Sequence, residues 1–131
     1  MSMTKKILIV DDEPDIIEFL SYRFRKNGFE VYASNDGASA LSLMNTITPD
    51  IILLDIMMPY MNGIMMCKYL KDDERFKKIP VIFLSAVQND YQVIAAIEAG
   101  GDHYISKPVK FELIYTIVYE MLEKSQAVSS I

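Results

Sequence analysis

The chain is short of the residues that build disulfides and soft-metal sites: it has one cysteine, Cys67, and one histidine, His103, in 131 residues. A single thiol makes no intrachain disulfide, and nothing around it resembles a zinc site. Cys67 lies in a run of Met and Ile, which implies a buried thiol. Long apolar runs are also missing. Ile7 to Val10 is about a fifth of what a membrane span needs, and no other run approaches that length. Lys5 and Lys6 are not followed by an extended apolar segment, so no secretory signal is read and the cytoplasm is the expected location. Positive charge is in deficit, with 13 Lys and Arg against 18 Asp and Glu for a net charge of −5. The basic residues are scattered, and the set Lys68, Lys71, Arg75, Lys77 and Lys78 reads as a solvated helix end. That argues against direct nucleic-acid contact, which needs clustered Lys and Arg. Repeats and low-complexity segments are absent as well.

What is present is a core. Apolar residues make up 51% of the chain and charged ones 24%, the balance of an ordinary soluble domain rather than a disordered one. The length suits one core and not two. Short runs rich in Ile and Val (Ile7 to Val10, Ile51 to Leu54, Val81 to Leu84) read as buried strands. Between them the period turns helical. Ile16, Ile17, Leu20 and Phe24 form one stripe, and Phe111, Ile114, Tyr115, Val118, Met121 and Leu122 form another. Strands alternating with helices imply βαβ units, a parallel sheet and helices on both faces.

The punctuation fits that rhythm. Pro14 suits a first helical turn, and Asn27-Gly28 ends that helix. Phe29 to Ala33 reads as a half-buried second strand, and Asp36 as the N-cap of a helix to about Thr46. Gly63 opens a helix through Leu70. Gly100-Gly101 closes one that starts near Gln88, and Asp102 to Ile105 is the fifth strand. The last helix is expected from about Val109 to Glu123. One domain over residues 1–124 results, with 125–131 as a frayed tail or the start of a linker.

Polar residues stand where the strong apolar runs stop. Val10 is followed by Asp11, Asp12 and Glu13; Leu54 by Asp55; Leu84 by Ser85; and Ile105 by Ser106, Lys107 and Pro108. In an open parallel sheet these strand ends share one edge, where ligands bind. Three carboxylates, a hydroxyl and an ammonium are therefore expected to converge. Taken singly, a strand-end Asp is equally a turn former or helix cap. That accounts poorly for the Asp11-Asp12 pair, and it leaves Ser85 and Lys107 at matching strand ends unexplained. Close carboxylates raise each other's pKa unless a cation intervenes. An all-oxygen donor set favours a hard ion such as Mg²⁺, with Mn²⁺ as a substitute.

Leu8-Ile9-Val10-Asp11-Asp12-Glu13, Asp55-Ile56-Met57-Met58-Pro59-Tyr60-Met61-Asn62-Gly63, Ser85-Ala86 and Tyr104-Ile105-Ser106-Lys107-Pro108, in that order, resemble a response-regulator receiver domain. The resemblance covers Lys5 to about Leu122. It implies a flavodoxin-like doubly wound (βα)5 sheet of strand order 2-1-3-4-5. It also implies that Asp55 accepts a phosphoryl group from a histidine kinase or phosphotransfer protein. Asp12 would bind Mg²⁺ directly, Asp11 mostly through water, and the Met57 backbone carbonyl would complete the protein's share. Lys107, its bond to Pro108 cis, would pair with the phosphoryl group. Ser85 would be the switch hydroxyl and Tyr104 the coupled aromatic. The output face would be the fourth helix, fifth strand and fifth helix, roughly Gln88 to Ala99, Tyr104 to Ser106 and Val109 to Glu120, with an unnamed partner or a second copy as its target.

Two positions depart from many relatives. Asn62 replaces a common Asp at a turn site that accepts either. Met57 and Val87, two past Asp55 and Ser85, are both apolar and cannot orient an attacking water, so self-dephosphorylation is expected to be slow. No dedicated enzymatic activity is expected beyond self-catalysed phosphoryl transfer and this slow loss. His103, without a carboxylate partner at helical spacing, reads as a surface residue rather than a phosphoryl donor, and the Met-rich stretch around Met57 to Met66 as flexible core filler. Two other readings stand beside the stand-alone module. One is a receiver cut from a longer protein with a DNA-binding or enzymatic output domain. The other is a metal-dependent phosphohydrolase, which would need an acid where Met57 stands and a cap that 131 residues hardly allow.

Overall fold

The computed structural model describes residues 4–86 and 89–129, with the backbone alone for 126–129. Five strands and five helices alternate: β1 (Lys6–Val10), α1 (Pro14–Lys26), β2 (Glu30–Ser34), α2 (Gly37–Leu43), β3 (Ile51–Asp55), α3 (Gly63–Lys71), β4 (Val81–Ser85), α4 (Asp90–Glu98), β5 (His103–Ser106) and α5 (Phe111–Ser129). The strands form one sheet in the order β2-β1-β3-β4-β5, and every pairing is parallel, as the sequence implied. Among the described residues no helix is long and apolar enough to cross a membrane.

Strand pleat divides the core into two layers, because successive side chains point to opposite faces. Leu8, Val10, Ile52, Leu54, Val81 and Phe83 pack with Ala40, Met66, Cys67, Leu70 and Ala96 from α2, α3 and α4. Ile7, Ile9, Ile51, Leu53, Ile82 and Leu84 pack with Leu20 and Phe24 of α1 and with Ile114 and Val118 of α5. Each of the central strand residues is fully buried. Complete burial of such a side chain contributes roughly 1.5–3 kcal/mol, so β1, β3 and β4 dominate the stability. Cys67 is buried as expected, with its thiol 3.4 Å from the Ala99 carbonyl, and burial pushes its pKa up to about 11.

The helix ends carry the expected signals. Pro14 occupies the first turn of α1, and Asp36 caps α2 through the Ser39 N–H at 2.7 Å. Asn62 caps α3 by accepting the Met65 N–H at 2.9 Å, a task Asp or Asn performs equally. Some boundaries differ. β2 and β5 each begin one residue later than the sequence suggested, and α2 stops at Leu43 rather than near Thr46. Asn45 and Thr46 are poor helix formers, and the Thr46 hydroxyl turns back onto the Leu43 carbonyl. The start of α4 was expected near Gln88, which lies outside the described residues; the helix has Asn89 as its N-cap. The last helix was expected to end near Glu123, with fraying from Ser125, but its backbone stays helical to Ser129. Neither Gly nor Pro interrupts Lys124 to Ser129, and Gln126 and Ala127 favour a helix.

At the edge bearing the strand C-termini, α3 comes unusually close to β3. The Gly63 N–H donates to the Ile56 carbonyl at 2.9 Å. A Cβ at position 63 would lie 2.2 Å from the Asp55 carbonyl oxygen, so only glycine allows the approach. Gly63→Ala is therefore expected to lose about 1–3 kcal/mol of stability through overpacking. Urea unfolding checks this: the midpoint should fall, and an unchanged midpoint would mean that α3 retreats from the strand without cost.

Candidate phosphoacceptor site

Asp11 follows β1 directly and Asp55 ends β3, the adjacent and fully buried middle strand of the sheet. Both continue the odd-numbered pleat that faces α1 and α5. Asp11 is fully buried, Asp55 is 2% exposed, and Asp12 is exposed at the rim. One oxygen from each of these carboxylates lies within 4.8 Å of the others. Lys107, at the turn after β5, brings its ammonium 3.0 Å from Asp11 Oδ2 and 3.5 Å from Asp55 Oδ1. The Lys107–Pro108 peptide is cis, as the family resemblance implied.

The charges do not balance. Burial is the largest influence on Asp55 and raises its pKa from 3.8 to about 7. The charge of Asp11 adds to the rise, Lys107 partly opposes it, and a hydrogen bond with Asp12 raises it further. Burial likewise raises Asp11, although the Glu13 N–H, donating to Oδ1 at 2.9 Å, works against it. Burial lowers Lys107, but contact with Asp11 and the charges of Asp11 and Asp55 outweigh that, so its pKa ends above the ordinary value. Lys107 also reaches Glu13 Oε1 at 3.2 Å, a contact the sequence reading did not foresee. Asp11 Oδ2 is buried without a conventional hydrogen bond, and the neighbour that compensates it is the Lys107 ammonium at 3.0 Å. An orphaned buried carboxylate oxygen, two further carboxylates within reach and no soft donor fit a hard divalent ion such as Mg²⁺. Asp11, Asp12 and Asp55 are the side chains that would hold it, and Met57, two residues after Asp55 at the start of the β3–α3 loop, is where a backbone carbonyl would join them.

Ser85 and Tyr104 form a second group on the other side of the sheet. Ser85 ends β4 on the pleat of Val81 and Phe83, facing α4, and is fully buried. Its hydroxyl donates to Gln92 Oε1 at 2.7 Å, and the Tyr104 hydroxyl donates to the same oxygen at 3.0 Å. Gln92 Nε2 lies 3.7 Å from Met57 Sδ. The two groups meet through the backbone, where the Lys107 N–H donates to the Ser85 carbonyl at 2.7 Å. Sequence reasoning named every polar residue of both groups except Glu13 as a Lys107 partner and Gln92. Gln92 carried no usable signal: three residues after the cap Asn89, it reads as half of a capping box. His103 is exposed, as expected, and its Nδ1 accepts the Tyr104 N–H at 3.0 Å.

These features are those of a phosphorelay receiver, and comparison with known proteins agrees. The response regulator receiver domain family matches residues 7–119, and the chain belongs to that family. The module serves two-component signalling. Among curated relatives, the alkaline phosphatase synthesis transcriptional regulatory protein PhoP of Bacillus subtilis (strain 168) is 35% identical over 124 residues, 95% of this chain and 51% of the relative. The DNA-binding response regulator MtrA of Mycolicibacterium smegmatis is 34% identical over 125 residues, 95% of this chain and 54% of the relative. The chain thus spans about half the length of these relatives. The solved signal receiver domain of a signal transduction histidine kinase from Syntrophus aciditrophicus superposes with a TM-score of 0.87 at 30% identity, covering 92% of each chain.

The raised pKa of Asp55 gives a pH signature. The folded state holds this proton more tightly than the unfolded chain, whose value is near 3.8. Without metal, the Asp55 contribution to stability therefore falls as pH rises from about 4 to about 7. Asp55→Asn should flatten that decline and, at pH 8 in a chelator, unfold on the order of 1–2 kcal/mol less readily than the native protein. Denaturant midpoints across pH measure it; equal pH dependence in the two proteins would show that Asp55 ionises freely.

Proposed function

We propose that Asp55 accepts a phosphoryl group from the phosphohistidine of a sensor kinase or phosphotransfer protein, with Mg²⁺ held by Asp11, Asp12, Asp55 and the Met57 carbonyl. The observation that carries this reading is the buried Asp55 carboxylate, crowded by two others and touched by one ammonium. The ion, when bound, supplies the positive charge that lets an anionic phosphoryl group approach an anionic nucleophile. An Asp55 oxygen forms the new O–P bond as the N–P bond of the donor breaks, and the imidazole nitrogen keeps the electron pair. Lys107, already against Asp55, balances charge on the transferred oxygens. Ser85 moves to donate to one of them, and Tyr104 turns inward. The altered surface is that of α4, β5 and α5, where Tyr91, Ile94, Ile97, Leu113 and Tyr119 are exposed. Its target is an effector or a second copy of this chain; a sedimentation coefficient that rises with a phosphoryl mimic distinguishes the second. A cytoplasmic location accords with a kinase as donor.

A second reading is favoured by the relatives being about twice as long. On it, residues 1–124 are the regulatory receiver of a longer protein and 125–131 begin the connection to an output domain, which binds DNA in a protein such as MtrA. Intact-protein mass after incubation with a small phosphoryl donor tests the chemistry under either reading. One phosphoryl group should appear with Mg²⁺ only, and not in Asp55→Asn. Followed over time, the adduct should decay slowly, because the exposed thioether of Met57 cannot orient water; Val87, the other position invoked, lies outside the described residues. No mass gain under any condition would sink the proposal. A short lifetime that polar substitution at Met57 leaves unchanged would sink the kinetic part alone.

A further inference from the structure

We propose that Gln92 is a positioning residue that holds the resting state, giving the Ser85 and Tyr104 hydroxyls an acceptor that they share. Its consequence for signalling rests on the phosphoacceptor reading above; its geometry does not. The Gln92 N–H is fixed by the Asn89 side chain at 2.8 Å, in the first turn of α4. From there the side chain reaches the ends of two strands. Its Oε1 takes the Ser85 hydroxyl at 2.7 Å and the Tyr104 hydroxyl at 3.0 Å, while Nε2 faces Met57 Sδ at 3.7 Å. One amide thus ties α4 to β4, β5 and the loop after the phosphoacceptor.

The chemistry makes this tie exclusive. An amide oxygen has two lone pairs, so both hydroxyls bind it together. A serine hydroxyl has one proton, so Ser85 cannot donate to Gln92 and to a phosphoryl oxygen at once. Movement of Ser85 toward Asp55 must break the bond to Gln92. A bond to an anionic phosphoryl oxygen is about twice as strong as one to a neutral carbonyl, so phosphorylation wins the competition. The departure of Ser85 takes one of the two hydroxyls from the amide and so weakens the tie between the Tyr104 ring and the start of α4. Gln92 therefore carries the movement of a buried serine to the output face, and its acceptor strength sets how firmly the unphosphorylated domain stays off.

The test uses the intact chain with a fluorinated tyrosine at position 104, read by ¹⁹F NMR without a phosphoryl donor. Gln92→Met keeps the length and the helix preference but removes the acceptor; Gln92→Glu keeps an acceptor oxygen at the same reach. The Tyr104 signal should shift in Gln92→Met toward its phosphorylated position and stay near the native one in Gln92→Glu. Phosphoryl uptake from a small donor should be about 3–10-fold faster in Gln92→Met, the loss of one ordinary hydrogen bond. In a Ser85→Ala background the same substitution should leave the uptake rate unaltered. An unshifted Tyr104 signal in Gln92→Met overturns the proposal, as does an equal displacement in both variants, which would make side-chain shape the cause. Failure of the native protein to take up phosphoryl groups would refute the phosphoacceptor reading instead, since the resting-state signal is read without them.

Discussion

Two buried carboxylates at the end of an apolar sheet, with one ammonium between them, are the constraint on which the rest of this molecule depends. Asp11 and Asp55 are in place because each directly follows a hydrophobic run, Ile7 to Val10 in β1 and Ile51 to Leu54 in β3, and the two strands run parallel in register. The strands bury themselves completely and carry the polar groups that follow them into the low-dielectric margin. Burial of like charges there is unfavourable, and it persists because the apolar core outweighs it. Lys107 relieves part of the strain, at 3.0 Å from one carboxylate and 3.5 Å from the other. What remains is an unmet demand for positive charge, which on the proposed function a divalent ion would meet before a phosphoryl group arrives.

The pleat gives that response a direction. Asp11 and Asp55 face the α1–α5 layer, whereas Ser85, on an adjacent strand, faces α4. A chemical event on one face of the sheet can therefore be read on the other through a displacement at the strand end. The connecting parts are short and specific: the Lys107 N–H on the Ser85 carbonyl, and the Gln92 amide that gathers Ser85 and Tyr104. The close approach of α3 at Gly63 sets the start of that helix directly against the Asp55 carbonyl.

Most of this was legible in the sequence because hydrophobic runs and strand-end polar residues are local signals. The runs ending at Val10, Leu54 and Leu84 located three strands to within a residue, and topology then brought Asp11, Asp12, Asp55 and Lys107 together. Family resemblance singled out Ser85 and Tyr104, which the structure places together, and the cis peptide at Lys107, which spacing alone does not reveal. What stayed hidden depends on three-dimensional side-chain direction. Glu13 stands in sequence only as the residue after the Asp pair, yet it reaches Lys107 across the chain. Gln92 resembled a capping partner, yet its oxygen is the meeting point of two strands. The end of α5 was misplaced for a different reason: a Ser-rich segment looks like a tail, but without Gly or Pro it has no feature that stops a helix.

The central claim is that burial and mutual repulsion keep a proton on this carboxylate cluster until a divalent ion displaces it. Calorimetric titration of Mg²⁺ near pH 6.5, repeated in buffers of different ionisation enthalpy, counts that proton directly. The account predicts saturable binding with release of about half to one proton, and loss of the release in Asp55→Asn. Binding without proton release, or no binding at all, would contradict it.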